Sequence, residues 1–322
     1  MLIDRYGRYI RYLRISVTGR CNLNCVYCRP LGCVETEQPG SELTVKEIAA
    51  IARVAAELGI SHVRLTGGEP LLRQDLDAIV RALSDIPGID DLSLTTNGQL
   101  LAERAADLAD AGLQRVNISM DSLDVERYRR LSGGGELARV WAGVDSARRA
   151  SLNPVKINVV LVRGENDAEI SSFAGLAREQ GLHVRFIELL PTGPATGEAD
   201  ALFYPATRAL EQLQQYGLGP ASHAGPGPAQ TWPLGKGTVG IISSFSAPPC
   251  CRCNRLRLTS DGKLRPCLTN ALEIDLRPAL QAPQPEAALA QMFREAAALK
   301  PECGAHLLGQ WSAGPAMCRI GG

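Results

Sequence analysis

Up to residue 189 the chain alternates short β-branched, apolar runs with longer stretches in which apolar positions recur every three to four residues. The short runs predict strands at 12–17, 61–65, 91–96, 114–120, 156–162 and 183–189. The longer ones predict helices at 44–58, with Thr44 as cap, and at 74–83, 100–111, 137–150 and 167–179. Strand and helix repeating in this order imply an α/β fold. Its parallel sheet would curve into an incomplete barrel, a partial (β/α)6 TIM-like arrangement. Past Pro191 the composition shifts to Gly, Pro and Ala as far as Lys236, with one helical pattern at 206–216. A strand pattern at 238–243 and a helical one at 287–298 follow. The division expected is therefore a barrel unit, 1–191, and a smaller C-terminal α+β segment, 192–322, covering the barrel's open side.

Charge changes this picture at two strands. Arg14 and Lys156 interrupt otherwise apolar strand patterns, and a buried charge without compensation is expensive. A bound anion is the better account of both. The chain as a whole offers no field to attract one, because 34 basic residues balance 34 acidic ones. Nucleic acid and anionic membranes are therefore not expected partners, and a polyanion must meet a local cluster of cations. No apolar run is long enough to cross a bilayer, and the first residues lack the apolar core of a signal peptide, so a cytoplasmic protein is expected, monomeric or homodimeric.

Ten cysteines in a reducing compartment point to metal or redox chemistry, and six of them fall into two triplets. Cys21, Cys25 and Cys28 are spaced C-x3-C-x2-C, and Cys250, Cys253 and Cys267 are spaced C-x2-C-x13-C. A cubane iron–sulfur cluster takes four ligands, so three thiolates leave one iron open to a substrate or cofactor. The alternatives are structural zinc sites, with Cys33 completing the first or Cys251 joining the second, and disulfides. Neighbouring residues of an extended segment point oppositely, which argues against Cys250 and Cys251 sharing a metal. Cys33, Cys251, Cys303 and Cys318 are left without a role.

The first triplet, followed by Gly67-Gly68-Glu69-Pro70, resembles the radical S-adenosylmethionine (SAM) superfamily. Further motifs resemble one family within it, the GTP 3′,8-cyclases that begin molybdenum cofactor biosynthesis. These are Leu13-Arg14-Ile-Ser-Val-Thr18, Arg64-Leu-Thr, Thr95-Thr-Asn97-Gly98, Asn117-Ile-Ser119-Met-Asp121, Val155-Lys156-Ile-Asn158 and Arg185-Phe-Ile-Glu188, then Cys253-Asn-Arg255-Leu-Arg257 and the ending Ile320-Gly321-Gly322. The resemblance implies two [4Fe-4S] clusters and a lyase reaction. The first cluster cleaves SAM, the resulting radical takes hydrogen from the ribose C3′ of GTP, and that carbon attacks C8 of guanine. Matching family positions, Tyr27, Gly68, Ser119 and Leu190 would touch SAM, although the family usually carries methionine where Leu190 stands. Arg14, Arg64, Thr95, Lys156, Arg255, Leu256 and Arg257 would touch GTP, and Gly321 and Gly322 would enter the active site with Arg255 and Arg257. A low-potential electron donor, and a cyclic pyranopterin monophosphate synthase receiving the product, are the implied partners. The alternative enzyme is a radical SAM peptide or RNA modifier with an auxiliary cluster, and the non-enzymatic alternative is a two-zinc scaffold.

Overall fold

A computed structural model describes residues 1–28, 42–190, 199–222 and 227–303 of the chain. Its strands are β1 (Tyr12–Ser16), β2 (His62–Thr66), β3 (Asp91–Thr96), β4 (Arg115–Ser119), β5 (Lys156–Leu161), β6 (His183–Glu188), β7 (Gln230–Leu234), β8 (Gly237–Ile242), β9 (Arg255–Leu258), β10 (Lys263–Arg265) and β11 (Ile274–Asp275). All lie in one sheet of order β11-β10-β9-β1-β2-β3-β4-β5-β6-β8-β7. Pairing is parallel from β9 to β8, and only the outer pairs are antiparallel. The two ends do not pair, so the barrel stays open, as expected of the partial (β/α)6 arrangement.

Helices α1 (Val45–Glu57), α2 (Leu76–Ser84), α3 (Leu101–Asp110), α4 (Val125–Ser132), α5 (Leu137–Arg149) and α6 (Ile170–Gln180) fill the connections between the first strands. Thr44 caps α1 through a full capping box: its hydroxyl accepts from the Glu47 amide and the Glu47 carboxylate accepts from the Thr44 amide. The outward strand positions, such as Leu13, Ile15, Val63, Leu65, Leu94, Ile118, Ile157 and Phe186, are closed off against these helices. On β5 and β6 burial alternates strictly between full and partial, because the other face borders a cavity instead of packed side chains.

Two features depart from the sequence expectation. Helix α4 was not foreseen, since its run Val-Glu-Arg-Tyr-Arg-Arg-Leu-Ser is largely polar and only Tyr128, Leu131 and Ser132 are buried. Asp124 caps its start and Gly133, at φ 68°, its end. The strands after residue 227 also do more than cover an open side. β8 joins the sheet next to β6 and β9 joins it next to β1, so both edges of the six-stranded core gain a parallel neighbour. Among the described residues no helix is long and apolar enough to cross a membrane.

Candidate functional site

The first thiol set leaves the carboxyl end of β1 and is pinned from two sides. On one side the Gly68 amide donates to Thr18 O and the Glu69 amide to Arg20 O, both at 2.7 Å. A Cβ on Gly68 would sit 2.2 Å from Arg20 O, so only glycine lets the turn after β2 approach the cysteine loop this closely. On the other side the Asn24 and Val26 amides donate to Ser132 O and Leu131 O at the end of α4. The Glu69 carboxylate then ties the turn to the end of β3, accepting from Leu71 N, Thr96 Oγ1 and Asn97 N. Burial pushes this carboxyl up to about 7 despite those donors.

Cys21, Cys25 and Cys28 face a cavity of about 220 Å³ at the carboxyl ends of the strands, where active sites of parallel barrels gather. The four residues expected to touch SAM, Tyr27, Gly68, Ser119 and Leu190, line the same cavity. The Tyr27 hydroxyl donates to Asp121 Oδ2 at 2.5 Å, and Asp121 Oδ1 accepts from Val160 N at 2.8 Å, which fixes the ring against the strand ends. Burial raises Asp121 to about 6. Burial, then Asp121 and the other two thiols, push Cys25 well above the ordinary range. Such a set holds anionic sulfur only when a metal supplies the opposing charge. No three His, Cys, Asp or Glu among the described residues are arranged to hold a single metal ion. Thiols that face a cavity instead of converging on a point suit a cluster with its own width, so the residues present fit a cubane better than zinc.

The second set enters at the amino end of β9, where Arg255 lies opposite Tyr12, the first residue of β1. Cys250, Cys253 and Cys267 line a smaller cavity of about 110 Å³ together with Arg255 and Arg257, and Leu190 borders both cavities. Burial alone would raise the Cys253 thiol, but Arg255 and Lys300 outweigh it and bring it down to about 6. Cys250–Arg252 forms one turn of 3-10 helix, not the extended segment expected. Cys250 and Cys251 are therefore not set on opposite faces of an extended strand. Cys251 is nonetheless exposed and absent from the cavity wall that Cys250 lines.

Between the two sets the inward strand positions carry Arg14, Arg64, Arg115, Lys156, Arg185, Arg255 and Arg257. Arg257, Arg14 and Arg64 stand in one register row across β9, β1 and β2. Asp91 is the carboxylate among these inward positions, and Arg115 holds it at 2.6 Å. Burial and then neighbouring cations hold the protons of five of these down: Lys156 to about 7, Arg257 to about 9 and Arg185 to about 10, with Arg14 and Arg64 also lowered, whereas, against burial, the Cys253 thiol beside Arg255 raises that guanidinium. Adjacent like charges in a sheet destabilise it, and among the described residues the cations of this face outnumber its carboxylates, so the face suits a bound anion. Thr95 Oγ1, Asn117 Oδ1 and Asn158 Oδ1 are buried and have no hydrogen-bond partner among the described residues, and Thr95 and Asn158 line the first cavity.

The expected nucleotide contacts thus fall on one inward face, with one exception. Leu256 is fully buried on the opposite, apolar face beside Leu13, so only its backbone can meet an occupant. Gly321, Gly322, Cys33 and Cys318 lie outside the described residues. Arg185, Glu69, Asn97 and Asp121 stood in quoted motifs without being assigned to the site. Arg185 was legible from its two-residue spacing in β6, which aligns it with Asn158.

The radical SAM superfamily model matches residues 15–177, and the molybdenum cofactor synthesis C model matches residues 182–305. A GTP 3′,8-cyclase from Moorella thermoacetica is 48% identical over 323 residues, covering 99% of each chain. One from Pelotomaculum thermopropionicum is 47% identical, with 99% of each covered, and one from Desulforamulus reducens is 44% identical, with 100% of each covered. Among solved structures, Streptococcus suis SuiB bound to S-adenosylmethionine superposes at TM-score 0.63, covering 89% of this chain and 68% of that one, at 17% identity. That likeness is one of fold.

Proposed function

The chain belongs to the GTP 3′,8-cyclase family, and from that premise we propose how its two thiol sets and cationic face carry out the cyclisation of GTP. It is a radical SAM lyase that acts on GTP with SAM and [4Fe-4S] clusters, in molybdenum cofactor biosynthesis. The chemistry these groups supply when bound is one-electron cleavage of SAM and abstraction of a ribose hydrogen atom. The observation that best supports the residue roles is the row of mutually repelling cations between two sets of thiols.

In this reading Cys21, Cys25 and Cys28 ligate the first cluster, and Cys250, Cys253 and Cys267 the second. Gly68, Ser119, Tyr27 and the Leu190 backbone border SAM. Asp121 holds Tyr27 in place, and Glu69 holds the glycine turn. Arg14, Arg64, Lys156 and Arg185 neutralise the triphosphate, which brings about four negative charges and matches guanidinium forks well. Thr95, Asn117 and Asn158 have the acceptors and hydroxyl to orient the ribose. Arg255 and Arg257 meet the end of the nucleotide nearest the second set. A low-potential one-electron donor and a following synthase that takes the cyclised nucleotide complete the proposal, together with a cytoplasmic location and a monomeric or homodimeric state.

The direct test is anaerobic incubation with GTP, SAM and a reductant. The expected product keeps the triphosphate and shows a new bond between the ribose C3′ and guanine C8 by mass and NMR spectroscopy. Formation of 5′-deoxyadenosine with unaltered GTP in every condition would overturn the assignment of substrate.

Lys156 gives this reading a pH signature. Its proton is held to about 7 in the empty site by burial and by Arg185, Arg115 and Arg64, while a bound phosphate raises it again. Binding above pH 7 must then take up a proton, and affinity falls as pH rises, by up to about tenfold per unit for one titrating group. Titration calorimetry in buffers of different ionisation heat should show that uptake at about pH 8, and Lys156→Arg should remove it, because arginine stays charged throughout. Equal proton uptake in both proteins would assign the titration elsewhere.

A further inference from the structure

Lys300 is buried to 1% exposure just past the helix Pro285–Ala298, a place where a lysine is costly unless its charge and its three N–H bonds are all met. They are met by the second thiol set and its frame. Nζ donates to Cys253 Sγ at 3.6 Å, to Arg255 O at 2.7 Å and to Pro266 O at 2.8 Å. Pro266 immediately precedes Cys267, so one ammonium bridges the two stretches of chain that carry the thiols. The residues that follow it are also secured: Arg8, paired with Asp4, donates to Pro301 O at 2.7 Å, to Glu302 O at 2.9 Å and to Cys250 O at 2.6 Å. The segment 300–302 therefore straps all three cysteines, and within it Lys300 reaches a sulfur atom.

We propose that Lys300 is a positioning residue of the second cluster. It holds Cys253 and Cys267 in ligating geometry and, as a hydrogen-bond donor to a ligand sulfur, favours the cluster's reduced state. The proposal rests on the reading that Cys250, Cys253 and Cys267 hold a four-iron cluster. Three thiolates on such a cluster make its charge negative, and reduction adds one more negative charge. A fixed ammonium against the Cys253 sulfur stabilises the reduced form more than the oxidised one, which is one of the levers a protein has on cluster potential. Arg255, whose side chain also hydrogen-bonds Cys253, and Arg257 add charge as well, but both face the cavity expected to take the nucleotide. Lys300 is spent wholly on the thiol frame.

The test is a redox titration of the anaerobic holoenzyme followed by EPR, in which the second cluster is recognised as the signal that excess SAM does not alter. Lys300→Met keeps the stem and removes the charge and donors. It should lower the ratio of reduced to oxidised second cluster at fixed potential by about tenfold, a shift of about 59 mV for one electron, or else leave about four iron atoms per chain where the wild type holds about eight. Lys46→Met, which removes an exposed charge on α1, should do neither. Eight irons with an unshifted second cluster in Lys300→Met would overturn the proposal. Should that variant not fold, wild-type protein labelled with [15N]lysine decides the matter, because a lysine nitrogen against a ligand sulfur gives a weak 15N coupling to the reduced second cluster in pulsed EPR, and its absence excludes Lys300. Failure of the underlying reading looks different: Cys253→Ala would then keep the full iron content of the wild type.

Discussion

Serine in place of Cys25 is expected to lower the iron content of anaerobically prepared protein from about eight to about four atoms per chain and to abolish SAM cleavage altogether. Burial, then Asp121, Cys28 and Cys21, push the Cys25 thiol well above its ordinary range. A serine hydroxyl there is far harder to ionise, and among the described residues no spare sulfur lines the first cavity to take its place. Cys253→Ser should also remove about four irons, yet leave the first cavity, its cysteines and the Tyr27–Asp121 pair intact. It should still form 5′-deoxyadenosine in the presence of SAM and reductant while losing the cyclised nucleotide. The pair of variants thus separates cleavage from cyclisation. Full SAM cleavage by Cys25→Ser, or loss of cleavage in Cys253→Ser with four irons retained, would reverse the assignment of the two sets.

How much of this could be read from the chain depended on the physical origin of each signal. The six central strands and their helices were legible because each combines a period of two or of 3.6 with full burial on one face, and the β3 bounds, 91–96, agree with the expectation. The α4 helix escaped because its polar run has almost no buried stripe, and its evidence is confined to Asp124 and Gly133 at its ends. Strands β9 to β11 escaped as strands because they are two to four residues long, too short for any period to show. The cysteines and the inward arginines could be found because charge and sulfur stand out within apolar runs. Lys300 and Asp121 could not, since a lysine near a helix end and an aspartate after a strand carry no mark of burial. Their roles come from distant partners, Cys253 and Pro266 for one and Tyr27 for the other, which only the fold brings within reach.

Replacing Arg64 by methionine is expected to weaken GTP binding by well over tenfold while leaving the empty protein as stable as before, or more so. Arg64 is 8% exposed, its guanidinium lies over the Tyr12 ring at 5.4 Å and Nε donates to Ser93 Oγ at 3.3 Å. Arg14 is its register partner on β1, and Arg115 and Arg255 also act against its charge. In the empty site, then, Arg64 costs desolvation and repulsion, and a methionine of similar length relieves both, as exchanging buried ions for apolar groups often does. With a polyphosphate bound the sign reverses. Losing one member of a buried charge pair costs roughly 2 to 5 kcal/mol, and each 1.4 kcal/mol is about a factor of ten in affinity. The loss should be graded with ligand charge, greatest for GTP, smaller for GDP and least for guanosine, while SAM affinity stays unchanged because its expected contacts lie at the strand ends around Gly68 and Ser119. Calorimetry with the three ligands and thermal unfolding of the empty protein check both halves together. A variant that binds GTP as tightly as the wild type would take Arg64 out of the site, and one that loses GTP, GDP and guanosine equally would shift its role from phosphate binding to shaping the cavity.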